Sequence, residues 1–140
     1  MKFASVIAFI INMSISITII AAKTKSVGVS GTIICDGKPV NNGDVELYDN
    51  KYAMDAGSLL AKAKTDEQGR FRIAGSSKKS IFNPQFTVSH KCRSKLCTRR
   101  MYLPIPEKYS TFGSKPREIF DIGVIEVKTK FPTETRICPT

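Results

Sequence analysis

Between Pro84 and Ile105 the chain reads Pro-Gln-Phe-Thr-Val-Ser-His-Lys-Cys-Arg-Ser-Lys-Leu-Cys-Thr-Arg-Arg-Met-Tyr-Leu-Pro-Ile, two alternating runs around a short polar centre. Side chains on a strand repeat with period two, so Phe86, Val88, His90 and Cys92 share one face, as do Cys97, Arg99, Met101 and Leu103. An antiparallel fold with Cys92 opposite Cys97 sets Val88 against Met101 and Phe86 against Leu103. On the outward face Thr87 meets Tyr102 and Ser89 meets Arg100. A slip of one residue would set apolar side chains against polar ones throughout. Cysteines facing each other across such a pair have Cα atoms about 4.5–5.5 Å apart, within disulfide reach. The register therefore predicts a Cys92–Cys97 clasp that presents Arg93-Ser94-Lys95-Leu96 to solvent.

The N-terminal stretch 1–22 reads as a secretory signal peptide: Lys2, an apolar run from Phe3 to Ile20 with Ser and Thr interleaved, then Ala21-Ala22 before Lys23. Its polar interruptions argue against an uncleaved spanning helix, and no later stretch is apolar enough to cross a membrane. Residues 23–140 are the size of one domain with one core. The formal net charge is +10, or +9 once Lys2 leaves with the leader. That balance concerns solubility and acidic partners rather than fold. No Asn-x-Ser/Thr sequon lies beyond the leader.

In order, Val27, Val29 and Ile33 mark a first strand ending at an inward Cys35, and Asp36-Gly37 a tight turn. A second strand spans Asp44 to Tyr48 with Val45 and Leu47 inward, followed by an exposed loop to Ser58. Leu59 to Lys64 alternates as a third. Asp66-Glu67-Gln68-Gly69 turns the chain back into Arg70-Phe71-Arg72-Ile73. After the hairpin, Pro104 and Pro106 end the strand or confine it to an edge. Glu118 to Val127 is the last strand; its apolar residues change face around Gly123, which a β-bulge accounts for. Lys128 to Thr140 reads as a tail. Seven to eight short strands without helical periodicity specify an all-β, antiparallel β-sandwich.

Four cysteines in a secreted domain imply two disulfides, with three connectivities open. With Cys92–Cys97 taken from the register, elimination leaves Cys35–Cys138, tying the first strand to the tail. In the chain-entropy model a loop that long contributes about 4–5 kcal/mol, against about 2 for the short clasp.

Several motifs occur in one order: Gly28-Val29-Ser30-Gly31-Thr32, Cys35-Asp36-Gly37-Lys38-Pro39-Val40, Val45-Glu46-Leu47-Tyr48, Thr65-Asp66-Glu67-Gln68-Gly69-Arg70-Phe71, His90-Lys91-Cys92, Cys97-Thr98-Arg99-Arg100, Ile105-Pro106-Glu107-Lys108-Tyr109, Phe120-Asp121-Ile122-Gly123 and Glu134-Thr135-Arg136-Ile137-Cys138. Together they resemble the nematode transthyretin-like family. The first half alone is also similar to carboxypeptidase regulatory-type sandwich domains. The resemblance implies a secreted transthyretin-like β-sandwich with four cysteines, no enzymatic activity, and extracellular bridging, signalling or, in parasites, host-interacting roles. Transthyretin has a short helix between its fifth and sixth strands, for which Arg93 to Leu96 is too short. Its dimer, tetramer and hormone channel are therefore not carried over. The related hydroxyisourate hydrolases need several histidines and a Tyr-Arg-Gly-Ser C-terminus, whereas this chain has one histidine and ends Arg136-Ile137-Cys138-Pro139-Thr140.

His90 shares a face with Phe86 and Val88 and reads as a hydrogen-bonded histidine at the edge of the core rather than a catalytic group. No second histidine is available to build a metal site, no Gly-x-Ser-x-Gly elbow occurs, and no cofactor is expected. Asp49 and Asp55 lack the spacing of a calcium loop. The strongest functional candidate is the basic cluster Lys91, Arg93, Lys95, Arg99 and Arg100, which contains no acidic residue. Such a tip suits an acidic extracellular or host protein, an anionic lipid at a membrane surface, or a glycan. The bland alternative is a solvated charged loop. Nucleic acid does not fit a secreted chain whose cluster lacks interleaved aromatics. The expected function is a non-enzymatic binding protein; a carrier of a small apolar ligand and a hydrolase with a site free of recognisable motifs are the alternatives.

Overall fold

A computed structural model describes residues 23–140; the expected signal peptide, residues 1–22, lies outside the described residues. Ten strands run in order: β1 (Lys25–Cys35), β2 (Lys38–Pro39), β3 (Asp44–Tyr48), β4 (Leu59–Lys64), β5 (Arg70–Ser77), β6 (Gln85–His90), β7 (Thr98–Pro104), β8 (Thr111–Phe112), β9 (Phe120–Glu126) and β10 (Glu134–Ile137). One sheet is built around β1, with β5 and the short β2 and β8 antiparallel to it and β9 parallel. The other has the order β10-β7-β6-β3-β4, antiparallel throughout. The only helical turn among the described residues is the 3₁₀ segment Glu107–Tyr109.

The hairpin register matches the sequence pairing at each position: Phe86 faces Leu103, Thr87 faces Tyr102, Val88 faces Met101 and Ser89 faces Arg100. The inward residues meet those of the other sheet in one core formed by Val27, Val29, Ile33, Val45, Leu47, Phe71, Ile73, Phe86, Val88 and Met101 among others. Phe71 and Phe86 touch across the layers with ring centroids 6.1 Å apart.

Local chemistry fixes the turns. Asp36 and Gly37 both take positive φ (52° and 77°), which the two-residue β1–β2 connection requires. Asp66 braces the next turn by accepting from the N–H groups of Gln68 and Arg70 at 2.9 and 2.8 Å. The bulge expected near Gly123 is present. β9 advances one residue more than β1 between the Ser30–Asp121 and Thr32–Val124 pairs, and Gly123 sits at φ 72°. Gly31, beside the bulge, has no room for a side chain, because a Cβ there would run into Ile122 and press on Phe71.

The tail is not a tail. Residues Glu134–Ile137 form β10 and cover the free edge of β7, with Thr135 opposite Arg100 and Ile137 opposite Thr98. Only Glu134 in that segment is shielded from solvent, so the segment has no apolar alternation to announce it.

Candidate functional site: a basic cleft at the stapled end of the sandwich

The disulfides are Cys35–Cys92 and Cys97–Cys138, not the expected Cys92–Cys97 and Cys35–Cys138. The register that suggested the clasp is right, but the β6–β7 ladder stops at the His90–Arg99 pair. Beyond it the chain turns through Lys91 to Ser94, with Arg93 at φ 53° and the Ser94 N–H donating to the Lys91 carbonyl at 3.0 Å. That turn carries Cys92 into the core, where it meets the end of β1 from the opposite sheet, Cα to Cα 5.8 Å. Cys97 finds its cross-strand partner on its other side: continuing the β7–β10 register one step past Thr98–Ile137 sets it opposite Cys138, Cα to Cα 4.1 Å. The geometric rule holds, applied to the strand that sequence alignment of apolar residues does not reveal.

The five cations of the expected basic tip separate into four fates. Arg99, which shares its face with Met101, is 3% exposed. Its Nε and Nη2 donate to the two carboxylate oxygens of Glu134 at 3.0 and 2.9 Å, and its Nη1 to the Cys92 carbonyl at 2.8 Å. Arg100 lies on the outward face, its guanidinium 5.8 and 5.3 Å from the Tyr48 and Tyr102 ring centres and donating to the Tyr48 hydroxyl at 2.9 Å. Tyr48 in turn donates to Glu46 at 2.9 Å. Arg93 is exposed but makes a two-point contact with Asp36, 2.9 and 2.7 Å. Of the five, Lys91 and Lys95 alone stand exposed without an ion pair to the described residues.

In place of a tip, the fold assembles a cleft of about 400 Å³. Arg93 comes from the β6–β7 turn, Arg99 from β7, Lys128 and Lys130 from the β9–β10 link, and Glu134, Thr135 and Arg136 from β10. Every lining residue is charged or polar. Its one carboxylate, Glu134, is held by Arg99, with both side chains 4% exposed. Burial pulls the Glu134 carboxyl upward, but the bonds and charge of Arg99 outweigh it and hold the group below its ordinary value. The hydrogen bond from Arg93, with its positive charge, likewise holds Asp36 below the usual carboxylate range. Glu126 braces the rim by accepting from the N–H groups of Asp36, Gly37 and Lys128.

His90 is buried, as its parity indicates, and its Nδ1 accepts from the Cys92 N–H at 3.1 Å. Burial, then the charge of Arg99 directly opposite, lowers its pKa to about 4. It is a neutral structural histidine at physiological pH. The Cys35 and Cys92 sulfurs converge with the Asp36 carboxylate, but the sulfurs are bonded to each other and Asp36 is taken by Arg93. Asp49 is buried and accepts from Ser77 Oγ at 3.0 Å with Lys79 Nζ at 3.3 Å, while Asp55 accepts from the Ser58 N–H. Both brace their loop. At the far end, where β1 and β6 begin, Phe82 joins two grooves of about 320 and 210 Å³, lined also by Pro84, Pro104, Ile105, Pro106 and Phe112.

A model of the transthyretin-like family covers residues 30–106. The chain belongs to the transthyretin-like family. Of three similar proteins from Caenorhabditis elegans, Transthyretin-like protein 5 is 38% identical over 82% of this chain and 85% of its own. Transthyretin-like protein 33 is 36% identical over 84% and 85%, and Transthyretin-like protein 2 is 33% identical over 83% and 84%. A solved 9R-lipoxygenase from Cyanothece overlaps 77% of this chain at 19% identity and TM-score 0.39, and the overlap spans 17% of that protein.

Proposed function

We propose that this transthyretin-like chain is a secreted, non-enzymatic binding protein that engages an acidic extracellular partner, endogenous or of a host, through the basic cleft. The observation that carries the reading is the composition of the cleft: five cations, one hydroxyl, and a single carboxylate already committed to one of those cations. A concave site with one sign of charge concentrates ligands of the other sign. The reading moves the recognition surface away from the loop and onto Lys128, Lys130 and Arg136, since Arg99 and Arg100 are tied into the framework. The absence of catalysis is supported by the chemistry of the side chains: the single histidine is buried with Nδ1 engaged, and all four thiols are oxidised.

The test is a salt titration of binding to a panel of polyanions, comparing the oxidised protein with K128E/K130E/R136E. The reading expects affinity that falls as salt rises and is lost in the triple variant. Equal binding by both proteins overturns it. The apolar grooves around Phe82 favour a second reading, a carrier of a small apolar ligand. An apolar molecule that co-purifies independently of salt and is lost in F82S would support that carrier instead.

A further inference from the structure

Resting on that reading of the cleft, we propose that its ligand is a sulfated glycan chain. None of Arg93, Arg99, Lys128, Lys130, Glu134, Thr135 and Arg136 is an apolar residue, and the only apolar surface in the cleft is that of their aliphatic stems, so no hydrophobic side-chain pocket is built for the anchor that dominates recognition of a peptide or protein segment. Acyl chains would find no lining either; the exposed Leu96 and Ile137 do not line it. A ligand that stays hydrated and brings only charge and hydroxyls is the chemistry that matches.

Arg136 stands directly opposite Arg99 across β10 and β7. Like charges placed opposite each other weaken a strand pair, a cost that Glu134 offsets by neutralising Arg99. Arg136 itself makes no ion pair among the described residues, nor do Lys128 and Lys130. Three unpaired cations around one cleft suit an external anion, and an arginine fork takes two oxygens of one tetrahedral oxyanion.

The free cations come from separate segments, the β9–β10 link and β10, with Arg93 across the mouth on the β6–β7 turn. Charges repeated along one polymer can engage cations carried by several segments at once. Sulfate groups on a glycan are such charges and remain ionised at any extracellular pH.

The experiment is isothermal titration calorimetry at physiological salt with a heparin-derived octasaccharide, its desulfated counterpart, poly-glutamate, and phosphatidylserine-containing vesicles. Each is titrated into wild type, K128E/K130E/R136E, and the charge-matched control K62E/R72E/K115E, whose positions lie outside the cleft. The expected result is binding of the sulfated octasaccharide only, weakened roughly 100-fold in the cleft variant, at about fivefold per cation, and nearly unchanged in the control. Equal weakening in both triples would mean that net charge alone is sensed, and would overturn the site. Tighter cleft-dependent binding of poly-glutamate or vesicles overturns the glycan while leaving the acidic-partner reading in place. Binding of no polyanion overturns both.

Discussion

Arg99 and Glu134 form a two-point ion pair, 2.9 and 3.0 Å, from which water is almost excluded on both sides. Removing one partner of a buried pair strands the other charge, at a cost of about 3–5 kcal/mol, whereas replacing both with apolar residues is far milder. Urea unfolding should therefore find R99M and E134Q each strongly destabilised and R99M/E134L less so than either. Additive losses in the double variant would contradict the pairing. Because the Glu134 carboxyl is held below its ordinary value, its contribution is complete above the unfolded carboxylate range near pH 4.3 and disappears as pH falls through the lowered value.

His90 adds a second acid sensitivity in a higher window. Its pKa is about 4 when folded against 6.5 as a free side chain, so between those values the unfolded chain takes up a proton that the folded one refuses. Stability is whole above pH 6.5 and declines progressively as pH drops toward 4. In H90N, whose amide oxygen can still accept from the Cys92 N–H, that slope should flatten. A pH profile of H90N parallel to wild type over this range would remove His90 as the cause.

The two bridges close loops of similar size, with sequence separations of 57 and 41. The chain-entropy model then assigns each about 4 kcal/mol, in place of the unequal pair expected from a short clasp and a long tie. C35A/C92A and C97A/C138A should lose comparable stability in urea, with C35A/C92A somewhat worse because Cys92 is also core. Peptide mapping of the oxidised protein decides the connectivity directly. Recovery of a Cys92–Cys97 peptide would refute it.

Gly31 is a position where an added methyl group has to displace a packed side chain. G31A should cost about 1–3 kcal/mol, since its Cβ must displace Ile122 at the β9 bulge. I122A/G31A should recover part of that loss; a double variant no better than the sum of its parts would place the strain elsewhere.

The hairpin was legible because burial on one face leaves a period-two record, and Phe86, Val88, Met101 and Leu103 carry it without ambiguity. The same parity separates Arg99, inward beside Met101, from Arg100, outward beside Tyr102, although sequence adjacency invites treating them as one cluster. β10 left no such record. Its residues are polar on both faces, and its strand identity depends on the open edge of β7 rather than on its own pattern. Missing that strand entailed the wrong disulfides, since Cys138 has no visible partner until β10 is paired. It also hid the cleft, whose Lys128, Lys130 and Arg136 reach Arg93 only once the tail is folded back.

The bridges have a further consequence for a protein exposed to proteases. They follow one another along the chain without interlacing, closing one ring over Cys35–Cys92 and another over Cys97–Cys138. A single cut inside either ring leaves the pieces covalently joined. Only Arg93-Ser94-Lys95-Leu96 lies between the rings, and it offers two basic residues at the surface. One trypsin-like cut there converts the molecule into two separately cyclised halves with no covalent link, held together only by the core and by the β6–β7, β1–β8 and β1–β9 pairings.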